Sequence, residues 1–208
     1  MTEISPTGAH EMTPDRTPDL TAACRRTGAV IAAVRPAQLT AATPCEQFQV
    51  GDLLHHLGGL ALAFAAAAAR DFGELTDHGG AADAARLDAD WRASYPARLT
   101  ALAGAWSNPS AWSGETRIAG MDLPGDVVGA IALTEVVVHG WDLARATGQR
   151  YAVDERTAID CLGYLTPFAA QAPVEGLFAA AVPVAPDAPA MDRIVALSGR
   201  RPDWAPAG

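Results

Sequence analysis

The chain has 208 residues, long enough for one domain with a sizeable core; half of them are apolar and only 6% aromatic. A net charge of −9, with scattered Arg residues and no basic cluster, argues against nucleic acid or an anionic membrane surface as a partner, because phosphate binding needs clustered Lys and Arg. Cys24, Cys45 and Cys161 are far apart and form no CxxC pair, which fits reduced thiols in a cytoplasmic protein.

Residues 1–17 are polar, contain Pro and lack an apolar signal core, so they are expected to be a disordered lead-in to one helical domain over residues 18–208. A first helix is predicted over about 18–35, with Leu20, Cys24, Thr27, Val30, Ile31 and Val34 inward and Pro36 as its stop. A second covers about 50–70, with Asp52 in the first turn, where a carboxylate suits the helix dipole. Its run "LGGLALAFAAAAA" falls short of the roughly 20 residues a bilayer span needs, so it is expected to be a core helix and no membrane partner is expected. A third is predicted over about 82–102, with Leu87, Trp91, Leu99 and Leu102 inward and a kink at Pro96. Turn residues and the β-prone "ETRIA" then predict a loop or small hairpin.

The fourth helix starts near 124–126 and ends at Thr147, with Gly148 suited to the position just past its end. A fifth runs over about 154–171, with Ile159, Leu162 and Leu165 inward. A Pro- and Ala-rich loop, the short helix "MDRIVALSG" and the tail "RRPDW" complete the chain, and no internal repeat is present. The fold class is therefore all-α: an antiparallel four-helix bundle with extra short helices and a small loop or hairpin before the fourth helix. Bundles of this kind commonly hold metals between facing helices.

Two segments carry chemistry. In the fourth helix Val128, Ile131, Ala132, Glu135, His139, Asp142 and Ala146 form one stripe, apolar above and polar below. A carboxylate in a core is costly unless paired or bound to a cation, although a Glu–His pair four residues apart is equally an ordinary helix-face hydrogen bond. In the second helix Leu53, Leu57, Leu60 and Phe64 mark an apolar face that includes His56, while His55 turns away by about 100°. His56 alone would pass for a satisfied core histidine. Together, His56, Glu135 and His139 make the two-imidazole, one-carboxylate set of an open zinc site, and equally of a non-haem Fe(II) site. Asp142, three residues past His139, is a candidate to orient its ring, and Arg145 is a weak candidate for a substrate carboxylate. Cys45 is a weaker candidate still, as are His10 and His78, both expected in loops.

The blocks "TPCEQFQVGDLLHHLGG" (43–59) and "LTEVVVHGWDLARATGQ" (133–149) resemble the two signature blocks of the mycothiol-dependent maleylpyruvate isomerase N-terminal, metal-binding family, within the DinB-like superfamily of four-helix bundles. The tail "DRIVALSGRRPDW" resembles the end of its short actinobacterial members. The resemblance implies a metal held by His56, Glu135 and His139, most often zinc, with mycothiol as a thiol cosubstrate. His55 stands where the family usually has a small residue, and Gln49 where it usually has Thr; His55 is thus a candidate competing ligand or pocket-entrance residue. The implied activity is S-transfer or isomerisation, with a small-molecule thiol and an electrophile as partners, in a monomer or homodimer. The isomerase's separate C-terminal domain has only a short tail as its counterpart here, so maleylpyruvate itself is not implied. The alternatives are a non-catalytic metal-binding bundle, acting in stress response or as an interaction module, and a non-haem Fe(II) enzyme on the same triad.

Overall fold

The computed structural model describes residues 17–169 and 180–206. Its elements are α1 (Thr21–Ala33), α2 (Val50–Ala69), α3 (Glu74–His78), α4 (Trp91–Trp106), β1 (Glu115–Ile118), β2 (Met121–Pro124), α5 (Gly125–Thr147), α6 (Glu155–Ala169) and α7 (Ala190–Leu197), with short 3-10 turns at Pro36–Gln38, Ala84–Arg86 and Pro109–Trp112. The fold is all-α and DinB-like, with one two-stranded hairpin. Residues 1–16 of the predicted lead-in over 1–17, and the predicted end of the fifth helix at Gln171, lie outside the described residues.

The core is a ring of four helices in which α1 and α2 each pack against both α4 and α5. Small residues allow this closeness. A Cβ on Gly140 of α5 would fall 2.3 Å from Thr27 Oγ1 of α1 and 2.7 Å from the Tyr151 hydroxyl, so only Gly fits at that crossing. Thr27 uses the proximity to donate to the Val136 carbonyl at 3.0 Å, and its hydroxyl also bonds the Tyr151 hydroxyl at 2.8 Å. At the other end of the bundle Trp106 donates to the Phe64 carbonyl (3.0 Å) and Trp112 to the Trp106 carbonyl (2.7 Å), with the two rings edge to face. Helices α2 and α5 are long and apolar enough to cross a membrane by length and composition, and most of each apolar stretch is buried inside the bundle.

Three sequence expectations need correction. The third helix begins at Trp91 rather than near 82, and it continues through Pro96 to Trp106. Side chains compete for the backbone of the preceding segment: Asp83 accepts from Ala85 N–H, Asp52 of α2 accepts from Ala84 N–H at 2.9 Å, and the Gly80 and Ala81 carbonyls face histidines of α2. Leu87 accordingly lies outside the helix, partly buried against the core. Ile159 is 62% exposed, because α6 turns Ala158, Cys161 and Leu165 inward instead. Third, His78 ends the short helix α3 rather than sitting in a loop.

The "ETRIA" segment does form a hairpin, with Glu115 opposite Pro124 and Ile118 opposite Met121. Its two-residue turn, Ala119–Gly120, has positive φ at both positions, as the twist of a tight hairpin requires. Arg70, just past α2, donates to the Glu115 carbonyl at 3.1 Å and ties the hairpin to the bundle. Asp52 accepts from Gln49 N–H at 3.1 Å, closing the start of α2 despite the absence of Thr there.

Candidate metal centre

The bundle brings α2 and α5 face to face, and with them His56, Glu135 and His139. One ligand atom from each lies within 4.8 Å of the others. Glu135 Oε2 stands 3.0 Å from His139 Nε2 and 3.9 Å from His56 Nε2. The imidazole rings meet edge to face at 5.1 Å between centroids, and the tilted Phe48 ring lies 5.4 Å from that of His56.

Hydrogen bonding on the far side of each ring fixes which nitrogen faces inward. His56 Nδ1 lies 2.8 Å from the Gly80 carbonyl. A carbonyl only accepts, so Nδ1 carries the proton and Nε2 presents a lone pair toward Glu135. Gly80 is required for this contact. A Cβ there would fall 2.8 Å from the His56 carbonyl and 2.9 Å from Leu60, forcing the loop off the helix. His139 Nδ1 donates to Asp142 Oδ2 at 3.0 Å, and Arg200 Nη2 donates to the same oxygen at 3.1 Å. Asp142 is fully buried, and its other oxygen has no hydrogen-bond partner among the described residues.

The charges follow from this geometry. Burial opposes charge on His139, but the Glu135 and Asp142 carboxylates outweigh it and hold the imidazole well above its usual range. Glu135 is likewise disfavoured by burial, yet His139, His56 and Arg200 hold its carboxyl below the usual range. Burial and the neighbouring His139 push His56 down to about 4, so it is neutral at pH 7. In this form a proton on His139 Nε2 compensates Glu135, in the place where a divalent cation would serve both groups. The donor set fits a metal: a neutral imidazole, a second that needs only to lose one proton, and a carboxylate, with both rings oriented from behind.

The remaining candidates separate. His55 Nδ1 lies 3.1 Å from the Ala81 carbonyl, and His55 is not among the converging ligand atoms. Arg145 points elsewhere, donating to the Trp204 carbonyl at 3.1 Å and lying over the Trp141 ring. His78 is also apart from the cluster, and His10 is outside the described residues. Cys45 is closer than its weak standing in the sequence suggests, because its Sγ falls within 4.8 Å of a His139 nitrogen and an Asp142 oxygen. Burial pushes this thiol up, against the pull of Arg200. Arg200 itself gave no signal in the sequence; it lies 58 residues beyond Asp142 and reaches it only because α7 returns the tail to α5.

No solved structure is matched by significant similarity. Two proteins from different strains of Mycobacterium tuberculosis, both described as uncharacterized, are each 28% identical over 141 residues, covering 64% of this chain and 68% of theirs. The profile of the mycothiol maleylpyruvate isomerase N-terminal domain matches residues 20–144, which take in α1, α2, α4, most of α5 and the three converging side chains. With well over half of its length matched, and with a DinB-like bundle carrying a candidate metal-ligand triad, the chain belongs to the mycothiol maleylpyruvate isomerase N-terminal domain family.

Proposed function

We propose that this protein binds a divalent metal, zinc in the first instance, through His56, Glu135 and His139, and that it activates mycothiol for S-transfer to an electrophile or for an isomerase-like addition. The observation that carries this reading is the convergence of two imidazoles and one carboxylate within 4.8 Å, each ring braced from behind. A bound divalent metal supplies positive charge that keeps a thiol deprotonated at neutral pH, the form in which sulfur is nucleophilic. His56 offers Nε2 because Gly80 holds the proton at Nδ1. Asp142, steadied by Arg200, holds the His139 ring in register and accepts from its Nδ1–H. Phe48 and the apolar face of α2 limit water around His56.

Metal content of protein purified without added metal tests the site, alongside His139→Ala. Stoichiometric zinc in the wild type and its loss in the variant support the reading; equal, negligible metal and equal stability in both overturn it. Stoichiometric iron instead would move the triad to Fe(II) chemistry. Conjugation of mycothiol to a generic electrophile tests the activity: a metal-dependent rate above background is expected. Its absence in zinc-loaded protein leaves a metal-binding bundle without this catalysis.

A further inference from the structure

A cavity of about 430 Å³ opens between α1, the last turns of α5, the segment that follows α5, and α7. Three arginines line it: Arg26 from α1, Arg145 from α5 and Arg150 just beyond. That is a concentration of positive charge in a chain of net charge −9. The Trp141 and Tyr151 rings form part of its wall. Trp141 lies two residues past His139, about 200° around the helix, so the cavity opens on the side of α5 away from the metal ligands.

Arg145 is fixed in place by the Trp204 carbonyl and by the Trp141 face. Arg26 and Arg150 donate no hydrogen bond and form no ion pair among the described residues. Asp192 also lines the cavity. Asp154 feels the Arg26 charge, but its carboxylate is engaged at the start of α6 with Thr157. Among the described residues positive charge is therefore in excess, and most of the guanidinium N–H donors have no protein acceptor. The cavity volume suits a small molecule. Planar guanidinium groups recognise carboxylate and phosphate oxygens through paired N–H donors.

We infer that this cavity binds a small, doubly charged oxyanion, a phosphate monoester or a dicarboxylate, held by Arg26, Arg145 and Arg150. The site is independent of the metal centre. Isothermal titration calorimetry of the full chain at low salt, with inorganic phosphate and with succinate as separate probes, tests it. One saturable site is expected for at least one probe, and the tighter of the two identifies the anion class. Arg26→Gln and Arg150→Gln, both at exposed positions, should each weaken binding about tenfold, the scale of a charge-assisted hydrogen bond. His139→Ala should leave the affinity unchanged. The inference is overturned if neither probe saturates by about 10 mM, or if the Arg26→Gln, Arg150→Gln double variant binds as the wild type does. Loss of binding in His139→Ala with no effect of the arginine changes also overturns it, by placing the anion at the metal centre.

Discussion

Arg200 and Asp142 offer the sharpest test of how the tail supports the candidate centre. In Arg200→Met the Asp142 carboxylate, fully buried, keeps only His139 as a partner among the described residues. Removing one member of an enclosed ion pair costs about 3–5 kcal/mol, because a buried charge is left uncompensated. The Arg200 side chain is 13% exposed, so water screens part of the pair and the lower end, about 3 kcal/mol, is expected. Asp142→Asn retains an acceptor for His139 Nδ1–H but leaves Arg200 without its carboxylate, at about 2 kcal/mol. The double variant removes both charges and should lose at least about 1 kcal/mol less than the sum of the two singles. Urea unfolding measures these stabilities, and chelator competition measures zinc affinity in the same four proteins. Asp142→Asn should also weaken zinc by about 10–100-fold, since it disturbs the group that orients His139. Additive stabilities together with unchanged zinc affinity would refute the claim that Arg200, Asp142 and His139 act as one unit.

The pH dependence of metal-free protein should have two limbs. His139 is held above its ordinary value of 6.5, so its contribution is complete below that pH and is lost as pH rises through the raised folded value. His56 is lowered to about 4, so its contribution is present above 6.5 and is lost as pH falls toward 4. Urea midpoints should therefore peak near neutrality, and His139→Gln should flatten the alkaline limb; a limb unchanged in that variant contradicts the assignment. Zinc binding at pH 7 should release about one proton, from His139 rather than the already neutral His56, as read from calorimetry in buffers of different ionisation enthalpy. Proton release close to zero would argue against His139 as a ligand. Gly140→Ala should destabilise by about 2 kcal/mol through overpacking against Thr27 and Tyr151. Gly163→Ala in α6, with nothing within 4 Å, should stabilise by about 0.5–1 kcal/mol, and equal effects at the two sites would undo the packing argument.

The amino-acid sequence by itself determines the long helices, because α2 and α5 are long, predominantly apolar runs whose ends carry chemical punctuation such as Gly148 in the left-handed conformation. The faces of those helices also select His56 over His55 and group Glu135 with His139, since positions three and four apart share a side. Local competition hides the rest. Asp52 and Asp83 hold residues 82–90 out of the helix that their composition favours, and the Asp52–Ala84 and His56–Gly80 bonds there join residues tens of positions apart. The one-sided packing of α6 leaves Ile159 in solvent although it is apolar. Only the tertiary structure brings Arg200 to Asp142, Cys45 toward His139, and Arg26, Arg145 and Arg150 to one cavity. Helical periodicity encodes which side of its own helix a residue occupies. It carries no information about which distant side chain will face it, and both the support of the candidate metal centre and the charge of the arginine-lined cavity are set by such distant partners.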